Sequence, residues 1–231
     1  MKKRSKSGDR TEDIILVDKP KGISSFDVIR ALRKKLDIRK MGHAGTLDPL
    51  ASGLMLIGIG AGTKKLHKLI GLPKTYCVDI LLGKRTATGD MEGEVLEKKD
   101  IDNISIKDVQ KASQKLVGVL RLPVPVYSAV KQGGKPLYKK VRQGENVVVP
   151  IRDMQVFEVH FVSYKEDEHI VSLEMDVDSG VYVRSVAEEF GRFLNVPAVV
   201  KELRRVRIGD LSVEQAQTFL YEKNSIKKRF F

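Results

Sequence analysis

Gly42-His43-Ala44-Gly45-Thr46-Leu47-Asp48-Pro49-Leu50-Ala51-Ser52-Gly53 is the stretch whose reading decides the fold. It places one carboxylate, Asp48, in a segment held by glycines and a proline. His43 lies five residues before it, and an apolar run, Leu54 to Ile59, follows. The segment is too irregular for a helix and too rich in Gly and Pro for a strand, so a loop is expected, with a buried strand after it. An Asp before Pro is ordinarily a turn or capping residue. A loop tied down this tightly around one carboxylate also admits a second reading, as a device for positioning that carboxylate.

Composition narrows the setting. With 231 residues the chain can bury a substantial core, as one large domain or one domain with an insertion. Lys and Arg number 42 against 30 Asp and Glu, giving a formal charge of +12. That excess suits a polyanion, whose counterions are released on binding; a generally basic proteome gives the same balance. The single cysteine, Cys77, excludes an intrachain disulfide and a cysteine metal cluster, and is expected to be a small core residue. No apolar run approaches the roughly 20 residues that span a bilayer. The N-terminal MKKRSKSGDR has no apolar stretch behind it and does not read as a secretion signal. A cytoplasmic location is expected.

Outward from the Asp48 loop, the periodicities predict a mixed α+β chain. Residues 1–12 read as a flexible basic arm, and Ile14 to Val17 as a strand. Ser24 with Asp27 opens a helix whose inner face carries Val28, Ile29, Leu32 and Leu36. Thr63 is expected to cap a short helix through Ile70. Tyr76, Val78, Ile80 and Leu82 alternate as one face of a strand. Residues 101–150 differ in character: a helix opened by Ser105 and Asp108, then Leu122-Pro123-Val124-Pro125, Gly133-Gly134, and the basic residues Lys131, Lys135, Lys139, Lys140 and Arg142. They read as an insertion projecting from the core. Two alternating strands, Met154 to Tyr164 and Ile170 to Val177, form a hairpin, which argues against a purely parallel sheet. Arg184 to Leu194 reads as a helix with Val186, Phe190 and Phe193 inside, and Ser212 with Gln215 as the start of a last helix.

Several segments resemble, in order, the motifs of the TruB-type pseudouridine synthases. GHAGTLDPLASG resembles the catalytic loop. Val17-Asp18-Lys19-Pro20-Lys21-Gly22-Ile23-Ser24-Ser25 resembles the first motif, and Lys74-Thr75-Tyr76 the strand start with the active-site tyrosine. Tyr127-Ser128-Ala129-Val130-Lys131 resembles part of the RNA-binding insertion. Gly180-Val181-Tyr182-Val183-Arg184-Ser185 resembles the segment with the second tyrosine and the arginine, and Leu203-Arg204-Arg205 the last motif. The resemblance runs from about Ile14 to about Phe219.

The resemblance implies a pseudouridine synthase fold: a mixed, largely antiparallel sheet with flanking helices, a central catalytic cleft, and an inserted thumb at about 101–150. It implies one catalytic domain over 13–231, with no room after the last motif for the PUA-type RNA-binding domain many members carry. The implied activity is isomerisation of the T-loop uridine of tRNA, position 55, to pseudouridine. It would proceed by base flipping and Asp-dependent glycosidic cleavage and rejoining, without guide RNA, and the enzyme would act as a monomer on the T-arm stem-loop, away from membranes. In the family the aspartate, here Asp48, acts on the target nucleotide as an anion, either as nucleophile at C1′ or as base on the sugar. Arg184 is implied as its partner, Tyr76 as a stack for the uracil, and Tyr182 and Leu203 as the pocket wall. His43 is implied beside the flipped nucleotide, and Lys19 and Pro20 in the turn near the catalytic loop, with Lys19 open to an RNA contact. The basic residues of 131–142 and Lys201, Arg204, Arg205 and Arg207 are expected to hold phosphates. Isomerisation needs no redox change and no added group, so no cofactor and no metal are implied; His43 has no second His or Cys at ligand spacing. Two rivals remain: the guide-RNA-dependent branch of the same superfamily, and a non-catalytic tRNA-binding protein.

Overall fold

A computed structural model describes residues 14–219; the basic arm expected over 1–12 lies outside the described residues. The chain gathers into two compact units. One is formed by the residues through Leu72 together with those from Arg205 onward, the other by Pro73–Arg204.

The first unit opens with strand β1 (Ile14–Lys19) and helix α1 (Ser25–Leu36). The capping box forms as expected: the Asp27 amide donates to Ser24 Oγ at 3.1 Å, and the Ser24 amide donates to Asp27 Oδ2 at 2.9 Å. The Ser24 hydroxyl, first, and Arg30 draw the Asp27 pKa down to about 2. Val28, Ile29 and Leu32 are buried, but Leu36 is exposed. It stands at the helix end, where Asp37 turns left-handed and leads the chain away. Strands β2 (Met41–Ala44) and β3 (Ser52–Ile59) follow, and β3 pairs antiparallel with both β1 and β2. Gly42, His43, Ser52 and Gly53 are thus ladder residues, and the loop around Asp48 shrinks to 45–51. A 3₁₀ turn, Gly60–Lys64, leads to helix α2 (His67–Ile70). Thr63 does not cap α2; its hydroxyl donates back to Gly60 O at 2.8 Å.

The second unit is built on an antiparallel sheet. In chain order its elements are β4 (Lys74–Leu82), β5 (Lys84–Thr86), β6 (Val95–Lys98), α3 (Ile106–Gln114), β7 (Gly118–Pro123), β8 (Lys131–Gln132), β9 (Lys135–Pro136), α4 (Leu137–Arg142), β10 (Ile151–Lys165), β11 (Ile170–Val177) and α5 (Val183–Phe193). The sheet order is β4-β11-β10-β7. Tyr76, Val78, Ile80 and Leu82 are buried along β4, as are Val171, Leu173, Met175 and Val177 along β11. Strict alternation puts Cys77 on the opposite face, half-buried, with its thiol 3.6 Å from Glu174 Oε2; it is not a core residue. The expected projecting insertion at 101–150 needs correction at its first half. β7 adds to β10 in register Pro123 to Ile151, and Val109, Leu116, Leu122 and Val124 are buried. Four buried aliphatic side chains, each worth about 1.5–3 kcal/mol, make that half part of the core.

Strand β12 (Ala198–Ile208) carries the chain back to the first unit. There β13 (Leu211–Ser212) turns back on Arg207 and Ile208. The Ser212–Gln215 capping box opens only a 3₁₀ turn, not a helix: β14 (Gln217–Thr218) follows at once and pairs parallel with Val17 and Asp18. Ala44, Leu54, Leu56, Leu66 and Ile208 form this unit's core, with Ile14, Leu16 and Leu69 packed around it. No helix among the described residues is long and apolar enough to cross a membrane.

Candidate active site

The residues singled out in the sequence fall in both units. Lys19, His43 and Asp48 belong to the first; Tyr76, Tyr182, Arg184 and Leu203 belong to the second.

In the first unit, the chain on both sides of Asp48 is tied by its backbone. Asp48 and Pro49 start a β-turn closed by the Ala51 amide, which donates to Asp48 O at 3.1 Å; proline favours the second position of such a turn. Just ahead, the buried Ser25 at the start of α1 grips Leu47 twice. Its hydroxyl accepts from the Leu47 amide at 2.8 Å and donates to Leu47 O at 2.9 Å. Just behind, Pro49 O accepts from the Gly22 amide at 2.8 Å and from Lys19 Nζ at 3.4 Å. Lys19 also donates to Pro20 O at 3.0 Å and to Ile23 O at 2.8 Å and has no exposed surface. It ties the turn of the first motif to the loop, and its burial does not fit a direct RNA contact. The Asp48 residue itself is half-buried.

Arg205 requires a correction of the same kind. Expected on the surface to hold a phosphate, it is 1% exposed. Its Nε donates to Leu54 O at 2.8 Å and its Nη2 to Gly45 O at 3.1 Å, so it bridges the two ends of the loop. Arg207 is exposed and remains available for a phosphate. The approach of Arg205 depends on Gly53, which has φ +107°; a Cβ there would sit 2.2 Å from Arg205 O. His43 is half-buried next to the loop. Burial, aided by the Arg205 charge, lowers its pKa, so the ring is neutral at neutral pH. Its Nδ1 is buried without a hydrogen-bond partner among the described residues.

In the second unit, Tyr76 is 8% exposed on the inward face of β4, and Leu203 is buried on β12. Tyr182 is the half-buried residue immediately ahead of α5. Arg184, in the first turn of α5, is 5% exposed. Its Nη1 donates to Thr88 O at 2.8 Å and its Nη2 to Tyr127 O at 3.2 Å. Asp90, also buried, lies 3.9 Å from Nη1. Asp90 was not singled out from the sequence. It sits in a turn where Thr86 Oγ1 donates to Asp90 O at 2.6 Å and Thr88 Oγ1 donates to its carboxylate. The string Thr86-Ala87-Thr88-Gly89-Asp90, small turn residues around one carboxylate, was the available signal. Removing one partner of such a buried pair costs about 3–5 kcal/mol, so the Thr86–Asp90 turn and Arg184 hold each other in place. Of the expected phosphate-binding residues at 131–142, Lys131, Lys139 and Arg142 are exposed, on β8 and α4. Among the described residues no group of three or more His, Cys, Asp or Glu is placed to hold a metal ion.

Comparison with known proteins identifies the family. Residues 33–183 match the model for the TruB family pseudouridylate synthase N-terminal domain, a span that includes the Asp48 loop, β4 and the residue before Arg184. The chain belongs to the TruB family. It is 35% identical over 207 residues to tRNA pseudouridine synthase B of Mycobacterium tuberculosis, covering 89% of this chain and 70% of that protein. With the same enzyme of Thermobifida fusca it shares 38% identity over 213 residues, covering 90% and 73%. In structure it resembles a chain of a solved Cbf5–Nop10–Gar1 complex, with TM-score 0.67 and 24% identity over 89% of this chain. It spans about half the length of that chain, at 51%, and the likeness shows the fold alone. The large, mostly antiparallel sheet with few helices is the pseudouridine synthase fold.

Proposed function

We propose that this protein is a tRNA pseudouridine synthase that isomerises the T-loop uridine at position 55, without guide RNA. One observation carries the reading: Asp48 stands in a β-turn fixed on both sides by buried groups, Ser25 before it and Lys19 after it. The order of the family motifs and the 35–38% identity to proteins named tRNA pseudouridine synthase B support it. The reaction breaks the N1–C1′ bond of uridine, turns the uracil, and joins C5 to C1′. Atoms and electrons are conserved within the nucleotide. Asp48 supplies the anion, as nucleophile at C1′ or base on the sugar. Arg184 is proposed as the cation that keeps that anion charged and oriented, a role for which a planar guanidinium suits better than an ammonium. Tyr76 is proposed to stack on the uracil, Tyr182 and Leu203 to wall the pocket, and the neutral His43 to stand beside the flipped nucleotide. A base must leave its stack before such chemistry. Lys131, Lys139 and Arg142 are proposed to hold phosphates of the T-arm, with the enzyme acting as a monomer.

The test is incubation of the purified protein alone with an unmodified tRNA transcript, followed by mapping of pseudouridine by position. Conversion at position 55 is expected. Binding without conversion would favour the non-catalytic reading, and conversion only with an added guide would favour the guide-dependent branch.

A further inference from the structure

A cleft lies wholly within the second unit, between the start of α5, the turn after β5 and the segment after β7, and Arg184 lines one side of it. It measures ≈ 260 Å³, and its walls include Leu96, Val124, Val126 and Val149 together with Arg85 and Glu188. Pockets for drug-sized ligands start near 300 Å³, so this one suits a single ring system rather than a whole nucleotide. Arg85 stands partly exposed, bonded through Nε to Glu97 Oε2 at 3.1 Å.

Glu188 is the anomaly. It is one helical turn after Arg184, and Gly89 packs against both; a Cβ on Gly89 would lie 3.2 Å from Arg184 Cβ and 3.3 Å from Glu188 Oε1. Burial raises the Glu188 pKa, with the more distant charges of Arg85 and Arg184 opposing the rise. Among the described residues its carboxylate has no hydrogen bond and no ion pair within 4.0 Å. A half-buried carboxylate beside apolar walls, open to solvent and bonded to no protein donor, can exchange its water for a ligand's donor.

We propose that this cleft takes an unpaired, amine-bearing base of the RNA substrate, a cytosine, adenine or guanine other than the target uridine, with its exocyclic amine donating to Glu188. The proposal rests on the reading of the protein as a tRNA-modifying enzyme. Cytosine N4 and adenine N6 are donors, whereas uracil offers an acceptor at the corresponding edge. An ionised carboxylate only accepts, so it welcomes the former and rejects the latter. The valines and Leu96 cover the faces of the ring, and Arg85 at the rim is placed for the attached phosphate. The site would thus read a neighbour of the target and help fix which uridine reaches Asp48.

The experiment uses the full chain and a T-arm stem-loop RNA. Each unpaired amine-bearing base is replaced in turn by its analogue without the exocyclic amine: purine for adenine, 2-pyrimidinone for cytosine, hypoxanthine for guanine. Affinity is measured for the wild type and for Glu188→Ala. At one position, loss of the amine should weaken wild-type binding at least about fivefold and leave Glu188→Ala binding nearly unchanged. Glu188→Leu carries the same comparison if the alanine variant does not fold. Equal effects in wild type and variant at every position, while the wild type still converts the RNA, would overturn the proposal and leave the functional reading intact. Competition by free adenosine or cytidine monophosphate, without coupling to any RNA position, would also overturn it, by placing a free nucleotide in the cleft. Failure of the wild type to convert the RNA would overturn the functional reading, and the proposal with it.

Discussion

Ser25 holds Leu47 by both ends of its peptide: one hydroxyl accepts from Leu47 N at 2.8 Å and donates to Leu47 O at 2.9 Å. Helix α1 is therefore wired to the residue immediately before Asp48. Ser25→Ala leaves a buried amide and carbonyl unpaired, at a cost of about 1–3 kcal/mol. It frees the turn as well. Single-turnover conversion should fall at least about tenfold, equivalent to roughly 1.4 kcal/mol, while tRNA affinity changes little. Unchanged turnover in a destabilised variant would show the bond to be only structural.

Asp48→Asn keeps the shape of the side chain and removes its charge. The β-turn, closed by main-chain atoms, should survive. Isomerisation should be lost while tRNA affinity stays within a few-fold. Turnover at about a tenth of the wild-type rate or more would refute the role of Asp48.

Arg184 bridges two carbonyls, Thr88 O and Tyr127 O, with separate nitrogens of one planar group. Lysine brings the charge but a single nitrogen and no fork. Arg184→Lys should lower the single-turnover rate by at least about tenfold, with affinity and its salt dependence nearly unchanged. A normal rate with weaker, more salt-sensitive binding would instead make Arg184 a phosphate contact.

Gly53→Ala probes the loop from the other side. The added Cβ would sit 2.2 Å from Arg205 O, on a residue at φ +107°. Neither backbone can move without breaking the bonds from Arg205 to Leu54 O and Gly45 O. A loss of at least about 2 kcal/mol of stability is expected, read as a lower urea midpoint. A wild-type midpoint would mean that β3 and β12 separate freely here.

The α1 cap has a pH signature. Asp27 has a folded pKa near 2 against an ordinary value of 3.8, so its stabilisation is complete above pH about 4 and is lost as pH falls toward 2. Because the group is partly exposed, its share is only about 1 kcal/mol. Between pH 5 and pH 2.5 the wild type should therefore lose about that much more stability than Asp27→Asn. Equal losses would place the low pKa outside the folding balance.

Much of this fold was legible in the sequence because it is local. Capping boxes need only a Ser and an Asp three residues apart, and those at Ser24 and Ser105 formed as expected. The alternation along β4 and β11 is visible in the residues themselves and was matched by burial. The box at Ser212 shows the limit: the cap formed, yet pairing of Gln217 and Thr218 with β1 took the chain out of the helix after three residues. A local signal says where a helix can start, not what competes for its next turn.

By itself the sequence determined the family and the α+β class and singled out Asp48 as the carboxylate to test, since each rests on residue types at fixed spacing. Only the tertiary structure decided what surrounds Lys19, Arg205, Asp90 and Glu188. Written in a row, a lysine or arginine in a basic cluster looks like a phosphate ligand. Whether it is one depends on whether distant carbonyls surround it, and Lys19 and Arg205 are enclosed by carbonyls brought from Pro49, Leu54 and Gly45. A carboxylate likewise takes its role from the charges and apolar walls that folding gathers around it, and those arise from residues separated by tens or more than a hundred positions in the chain.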